Sequence, residues 1–175
     1  LIGLAVMGEN LVLNMAGKGF QVGVYNRTAA VVDKFIAGPA AGLPIVGAAS
    51  VAQLVASLER PRRVMLMVKA GQPVDDMIEQ VLPFLEAGDI LIDGGNSFFQ
   101  DTRRRYEALK KAGIRYVGMG VSGGEEGALR GPSMMPGCDP EAYAIIAPMF
   151  TKVAAQVADG PCCSLVGPDG ATHAG

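Results

Sequence analysis

Two segments near the start of the chain carry residues whose types and spacing suit a phosphorylated dinucleotide. Residues 1–8 read LIGLAVMG, and residues 22–28 read VGVYNRT. In the first, an apolar strand runs into Gly3-x-Ala5-x-x-Gly8, a variant of the glycine fingerprint that turns a strand into a helix. Gly3 permits the tight turn. Gly8 lets the helix approach the strand, so that amides of the helix's first turn face a pyrophosphate. The methyl of Ala5 stands where a second glycine is usual and sets the pyrophosphate slightly farther away. Alone, the turn also fits an ordinary strand-to-helix connection.

The second segment says more. A site for NAD places a carboxylate about 20 residues after the first glycine, on the ribose hydroxyls. Here Asn26, Arg27 and Thr28 occupy that place. Asn26 can hydrogen-bond the ribose. Arg27 can pair with a 2′-phosphate and stack on the adenine, and Thr28 can offer that phosphate its hydroxyl. With no Asp or Glu to repel it, NADP is the expected cofactor. The plainer alternative is that Arg27 is a surface charge.

Three further groups follow apolar runs: Lys69-Ala70-Gly71, Asp93-Gly94-Gly95-Asn96-Ser97 and Ser122-Gly123-Gly124. The Lys69 loop fits the nicotinamide side of a cofactor and fits a solvated turn equally well. Ser122 can donate to a sugar hydroxyl or a carboxylate. Gly123 and Gly124 let a polar substrate reach backbone amides. So much glycine costs backbone entropy and packs poorly, which argues for a substrate loop. Asn96, after two glycines, has the same logic.

The elements that position these groups alternate. Buried strands are predicted at 1–4, 20–25, 64–68, 90–92 and 115–118, with a last one at 162–166. Helices are predicted at 9–18, 29–36 capped by Thr28, 51–58 capped by Ser50, 73–82 and 101–111. A glycine loop over 119–137 leads to a helix from Asp139-Pro140 to about 147, and 150–158 reads as partly helical. Strand and helix in units of about 30 residues give an α/β, Rossmann-like, doubly wound and mostly parallel sheet. Ligands on such a sheet sit beyond the strands' carboxyl ends. The loops at Gly3–Gly8, Asn26–Thr28, Lys69–Gln72, Gly94–Ser97 and Gly120–Gly124 all lie there.

The 175 residues are half apolar and carry a net charge of −2, which excludes disorder and a basic nucleic-acid surface. No apolar run has the length of a membrane span, and no secretory leader is visible. Cys138, Cys162 and Cys163 form neither a disulfide framework nor a zinc spacing, and His173 does not complete one. No metal is expected, and a reducing, cytoplasmic compartment is. One domain, residues 1–175, is expected. The short lead-in to the first strand and the closing ATHAG suggest truncation at both ends.

The ordered set GLAVMG (3–8), Asn14-Met15, YNRT (25–28), VKAGQPVDD (68–76), DGGNS (93–97), DTRRR (101–105) and VSGGEEGALRGPSMMPG (121–137), with the cysteine and glycine series at 162–171, resembles the amino-terminal part of the decarboxylating 6-phosphogluconate dehydrogenases. The resemblance covers essentially the whole chain. It implies oxidation of 6-phosphogluconate at C3 by NADP, then loss of carbon dioxide to give ribulose 5-phosphate, in a cytoplasmic homodimer. It assigns Ala5, Val6 and Met7 to the pyrophosphate turn and Asn26, Arg27 and Thr28 to the adenosine phosphate. It assigns Val68, Lys69 and Ala70 to the loop beside the cofactor. Asn96 matches a residue touching both substrate and nicotinamide, and Ser122, Gly123 and Gly124 match the substrate loop.

The resemblance also implies a catalytic lysine and glutamate on a helix just past His173, and a large all-helical domain. Neither is within these residues, so no catalytic acid or base is assigned here. Thr172 and Ala174 depart from the family, which usually has glycine and a bulky apolar residue there. Two rivals remain. One is a related NAD(P)-dependent β-hydroxyacid dehydrogenase, such as one acting on 3-hydroxyisobutyrate, which shares the turn, the Asn-Arg pair and a serine-glycine-glycine loop. The other is a non-catalytic nucleotide-binding module.

Overall fold

The computed structural model describes residues 1–169; ATHAG with His173, and the predictions made for it, lie outside the described residues. The order of elements is α1 (Val6–Gly17), β1 (Val22–Val24), α2 (Ala29–Ala37), β2 (Ile45–Gly47), α3 (Val51–Ala56), β3 (Arg63–Leu66), α4 (Gln72–Val81), β4 (Ile90–Asp93), α5 (Phe99–Lys111), β5 (Arg115–Ser122), α6 (Gly124–Arg130), β6 (Ser133–Gly137), α7 (Pro140–Val153), β7 (Gln156–Val157) and β8 (Gly160–Pro161).

β1 pairs with β2, and β3, β4, β5 and β6 pair in that order, with β6 antiparallel to β5; β7 and β8 form a separate antiparallel pair. Residues 1–3 join the two groups. Ile2 bridges Tyr25 on one side and Leu66 on the other, both in parallel. Its amide donates to Met65 O at 2.8 Å, and its carbonyl accepts from Met67 N at 2.8 Å. The predicted strand remnant at 1–4 is therefore the centre of the sheet.

Alternate residues of the strands face opposite layers, as the pleat requires. Met65, Ile90, Ile92 and Val117 pack with Leu11, Val32, Phe35, Ile146 and Phe150 of α1, α2 and α7. Val64, Leu66, Leu91 and Tyr116 pack with Leu54, Val74, Ile78 and Leu109 of α3, α4 and α5. Two apolar layers thus flank one sheet, which is the doubly wound arrangement.

Several boundaries differ from the sequence expectation. α1 starts at Val6 rather than residue 9, because its first turn includes Gly8. Ser50 does cap α3, its hydroxyl accepting from Gln53 N at 3.0 Å. Thr28 stands at the cap position of α2, yet its side chain caps no amide. The expected loop 119–137 is a strand, a helix and a strand. β5 runs on to Ser122 and pairs with β6 from Gly118↔Gly137 to Ser122↔Ser133. Its glycines disguise the strand, and Gly120 is small because Met135 lies against it.

α7 is continuous through Pro148. Breaking a helix interior with proline costs about 3 kcal/mol; the burial of Ile146, Phe150 and Val153 on both sides outweighs it. The strand expected at 162–166 is limited to parallel bridges, Met134 with Cys163 and Gly137 with Gly167.

Phe150 is fully buried beyond the proline. Phe150→Ala should lower the unfolding free energy by about 3–5 kcal/mol in urea titration. Val157→Ala, at a side chain 57% exposed, should stay within about 0.5 kcal/mol.

Candidate cofactor and substrate site

Residues 1–3, β1, β3, β4 and β5 are parallel, so their carboxyl ends open on one edge. Gly3–Gly8, Asn26–Thr28, Val68–Ala70, Asn96 and Ser122–Gly124 follow them in that order. Contacts tie neighbouring loops together. The Leu4 amide donates to Asn26 Oδ1 at 3.0 Å. A Cβ on Gly3 would collide with Met67 O and meet Val68 Cγ1 at 3.3 Å. A Cβ on Gly95 would lie 2.9 Å from Val68 O. The first four groups are therefore contiguous, and α1 reaches the fifth.

The turn has the features expected of an anion seat. Gly3 has φ +104°, which L side chains rarely adopt. A Cβ on Gly8 would collide with the Gly3 carbonyl, so this position holds the helix against the strand. Ala5 is the residue ahead of α1 and offers no side-chain cap. The first helical bond runs from Glu9 N to Ala5 O at 2.9 Å. The amides before it lack a helical acceptor, and such a terminus favours an anion. Ala5 and Val6 are exposed and Met7 is half-buried.

Asn26 is half-buried and holds the turn: Oδ1 accepts from Leu4 N, and Nδ2 donates to Thr28 O at 3.4 Å. Its part is thus to fix the loop, with less of it free for a ribose than the sequence suggested. Arg27 and Thr28 are exposed, and no acidic side chain among the described residues pairs with Arg27. Lys69 is exposed, between half-buried Val68 and Ala70.

Asn96 is exposed on a loop whose shape is set from beneath. Asp93, 1% exposed, ends β4. Its Oδ1 accepts from Gly95 N at 2.9 Å; its Oδ2 accepts from the Ser97 hydroxyl and, at 3.2 Å, from the Tyr116 hydroxyl. One buried carboxylate therefore grips the residues on both sides of Asn96. Burial, and then the charge of Asp93, raises the Tyr116 phenol well above its ordinary range, so it stays a proton donor.

Arg105 of α5 lies 3.9 Å from Asp93 and forks onto Asp75 of α4, Nε to Oδ1 and Nη2 to Oδ2 at 2.9 Å each. Its Nη2 also donates to Gly71 O at 3.1 Å. The network thereby braces the 68–71 loop and the Asn96 loop together. Arg104 adds a second contact to Asp75 at 3.1 Å.

Ser122, Gly123 and Gly124 are exposed at the end of β5, and both glycines have positive φ, 141° and 63°. Glu126 pairs with Arg130 at 3.2 Å on the surface of α6, the role of an ordinary solvated ion pair. Sequence reasoning missed Asp75, Asp93, Arg105 and Tyr116 as supports of the site. The DTRRR run was the only signal for Arg105, and nothing in it distinguished the buried arginine from its exposed neighbours.

A parallel sheet with an uncapped helix start and five loops on its ligand edge defines a dinucleotide-binding α/β domain of the Rossmann type. The chain belongs to the family of the NAD binding domain of 6-phosphogluconate dehydrogenase, which matches residues 1–167. It is 61% identical over 173 residues to a decarboxylating 6-phosphogluconate dehydrogenase of Treponema pallidum, covering 98% of this chain and 36% of that protein. Against a Saccharomyces cerevisiae enzyme of the same name it is 58% identical, covering 99% and 35%. The chain thus spans about a third of the length of these relatives.

A solved Plasmodium falciparum 6-phosphogluconate dehydrogenase, studied in its apo form, with its cofactor NADP+ and with its substrate 6-phosphogluconate, superposes with a TM-score of 0.91 at 43% identity, over 97% of this chain and 37% of that one. A Mycobacterium tuberculosis 3-hydroxyisobutyrate dehydrogenase has a TM-score of 0.80 at 22% identity, over 97% and 54%. That second likeness is one of fold alone.

The hydrogen bonds from Arg105, outweighing partial desolvation and aided by Arg104, hold the Asp75 carboxyl at about 2, below its ordinary 3.8. A depressed carboxylate pKa stabilises the fold fully above about pH 4, and that contribution is lost as pH falls through about 2. Asp75→Asn should lower stability at neutral pH and flatten the fall between about pH 4 and pH 2. Urea unfolding at a series of acidic pH values checks this. An unchanged slope would remove the Asp75 pair as a source of acid sensitivity.

Proposed function

We propose that the polypeptide carrying this chain binds NADP at this edge and oxidatively decarboxylates 6-phosphogluconate to ribulose 5-phosphate, as a cytoplasmic homodimer. The observation that carries the reading is the juxtaposition of uncapped α1 amides with an exposed Arg27 that no carboxylate among the described residues engages. The family membership and the Plasmodium falciparum complexes support it.

In this reading Gly3, Ala5, Val6, Met7 and Gly8 form the pyrophosphate turn. Arg27 and Thr28 take the 2′-phosphate, with Asn26 holding their loop to the turn. Val68, Lys69 and Ala70 flank the nicotinamide. NADP, when bound, supplies the hydride acceptor. Asn96 orients the sugar acid over it, and Ser122 donates to a substrate hydroxyl or carboxylate. The Gly123 and Gly124 backbone lies open to the same ligand. The proton from the C3 hydroxyl goes to the lysine, and the enediol left by carbon dioxide loss is protonated by the glutamate; the resemblance puts both groups outside residues 1–175.

Calorimetric titration should show NADP binding far more tightly than NAD. Arg27→Ala should weaken NADP by about tenfold to a hundredfold, the worth of one charge-assisted contact, and leave NAD nearly unchanged. Equal affinities for the two cofactors would sink the assignment of Arg27 and Thr28.

In a full-length polypeptide, Asn96→Ala and Ser122→Ala should each impair turnover while NADP affinity stays within a few-fold. Wild-type steady-state kinetics in both variants would remove these residues from the site. Residues 1–175 alone should give no NADPH absorbance with NADP and 6-phosphogluconate. Sedimentation of the full-length polypeptide tests the dimer.

A further inference from the structure

α1 carries the proposed pyrophosphate seat at one end and a second function along one side. Asn10 and Asn14, four residues apart, lie on the same face of the helix. Asn10 Nδ2 donates to the Glu125 carbonyl at 3.0 Å. Asn14, 4% exposed, donates from Nδ2 to the Ala128 carbonyl at 3.1 Å and to the Val153 carbonyl at 3.0 Å. Glu125 and Ala128 belong to α6, which starts at Gly124, directly after Ser122 and Gly123. The start of α6 is thus held by the cofactor helix, one turn in from that helix's uncapped end.

We propose that α1 couples the two halves of the site: an anion on its first-turn amides orders the Ser122–Gly124 loop, with Asn10 as the positioning residue. The inference rests on the cofactor reading above. Without a ligand, the first turn of α1 lacks acceptors for its amides and is the part of the helix most prone to fray. An anion there supplies acceptors and fixes the turn. Asn10 follows in the next turn, so its bond to Glu125 O persists longer, and the short α6 with the loop before it is ordered in turn. Ordering that one ligand accomplishes is ordering the second need not provide, which is positive coupling without a change of shape. By linkage, the substrate tightens the cofactor by the same factor. Asn10 touches neither ligand in this scheme.

Hydrogen exchange of the full-length polypeptide, with and without NADP, tests it. In the wild type NADP should slow exchange in the first turn of α1 and also, by about fivefold or more, across residues 123–130. In Asn10→Ala, NADP should bind within a few-fold and still protect α1, while the slowing at 123–130 falls away. Asn10 is half-buried, so this variant keeps the fold more safely than one at Asn14. Asn14→Ala, if it folds, should behave likewise. NADP binding to the wild type without slowing at 123–130 overturns the coupling alone, as does full slowing in Asn10→Ala. Failure of NADP to bind the wild type in calorimetry overturns the cofactor reading and this inference with it.

Discussion

The buried carboxylate of Asp93 is the constraint on which the ligand edge depends. Taking a carboxylate out of water costs several kcal/mol unless its oxygens are well satisfied. Here the partners are an amide and a hydroxyl from its own exit loop and a phenol from the next strand. Satisfying the charge therefore dictates the path of the chain from Gly94 to Ser97. Arg105, 2% exposed and itself in need of anions, extends the requirement to Asp75 and the Gly71 carbonyl. Two loops from different strands acquire one shape because neither buried charge can be left alone. A similar pin fixes the far end of the same strands, where Arg62 meets Asp89 at 3.0 Å and Asp89 also accepts from the amides of Arg62 and Glu86.

Where the pattern of apolar residues was strong, the fold was legible from the residues. VMLMV and ILI read as strands covered on both sides; β3 and β4 are such strands, with successive residues delivered to opposite layers, though β3 ends at Leu66 and leaves Met67 and Val68 half-buried beyond it. Glycine misled. In GMGVSGG it suggested a loop, yet the backbone there is paired through Ser122, and the glycine hydrogens leave room for Met135. Proline misled in the same way at position 148, where local preference pointed to a break and tertiary burial decided otherwise.

The rim of the site was also legible, since loops after parallel strands must open on one edge. What lay beneath was not. Asp75 reads as a favourable charge in a helix's first turn, and Arg105 as one of three arginines in a row. Only the crossing of α4 and α5 joins the buried Arg105 to the half-buried Asp75. Asn26 shows the converse: the residue type suited a ribose, but the structure gives one side-chain oxygen to Leu4 N. A side chain that can serve either ligand or backbone is not resolved by spacing.

The attachments of α6 to α1 all end on main-chain carbonyls. A carbonyl is present whatever residue carries it, so these hydrogen bonds place no demand on the side chains of α6; the fully buried Ala128 is the position where packing does. Glu125, Glu126, Leu129 and Arg130 are exposed and contribute nothing to either apolar layer. The exposed face of the segment that follows the Ser122–Gly124 loop is thus mounted like an exchangeable part. Mutation can alter its chemistry repeatedly while the mounting, the sheet and the cofactor turn stay as they are. That separation offers a physical route by which one scaffold, shared by enzymes for sugar acids and for small hydroxy acids, diversifies without having to be folded anew each time.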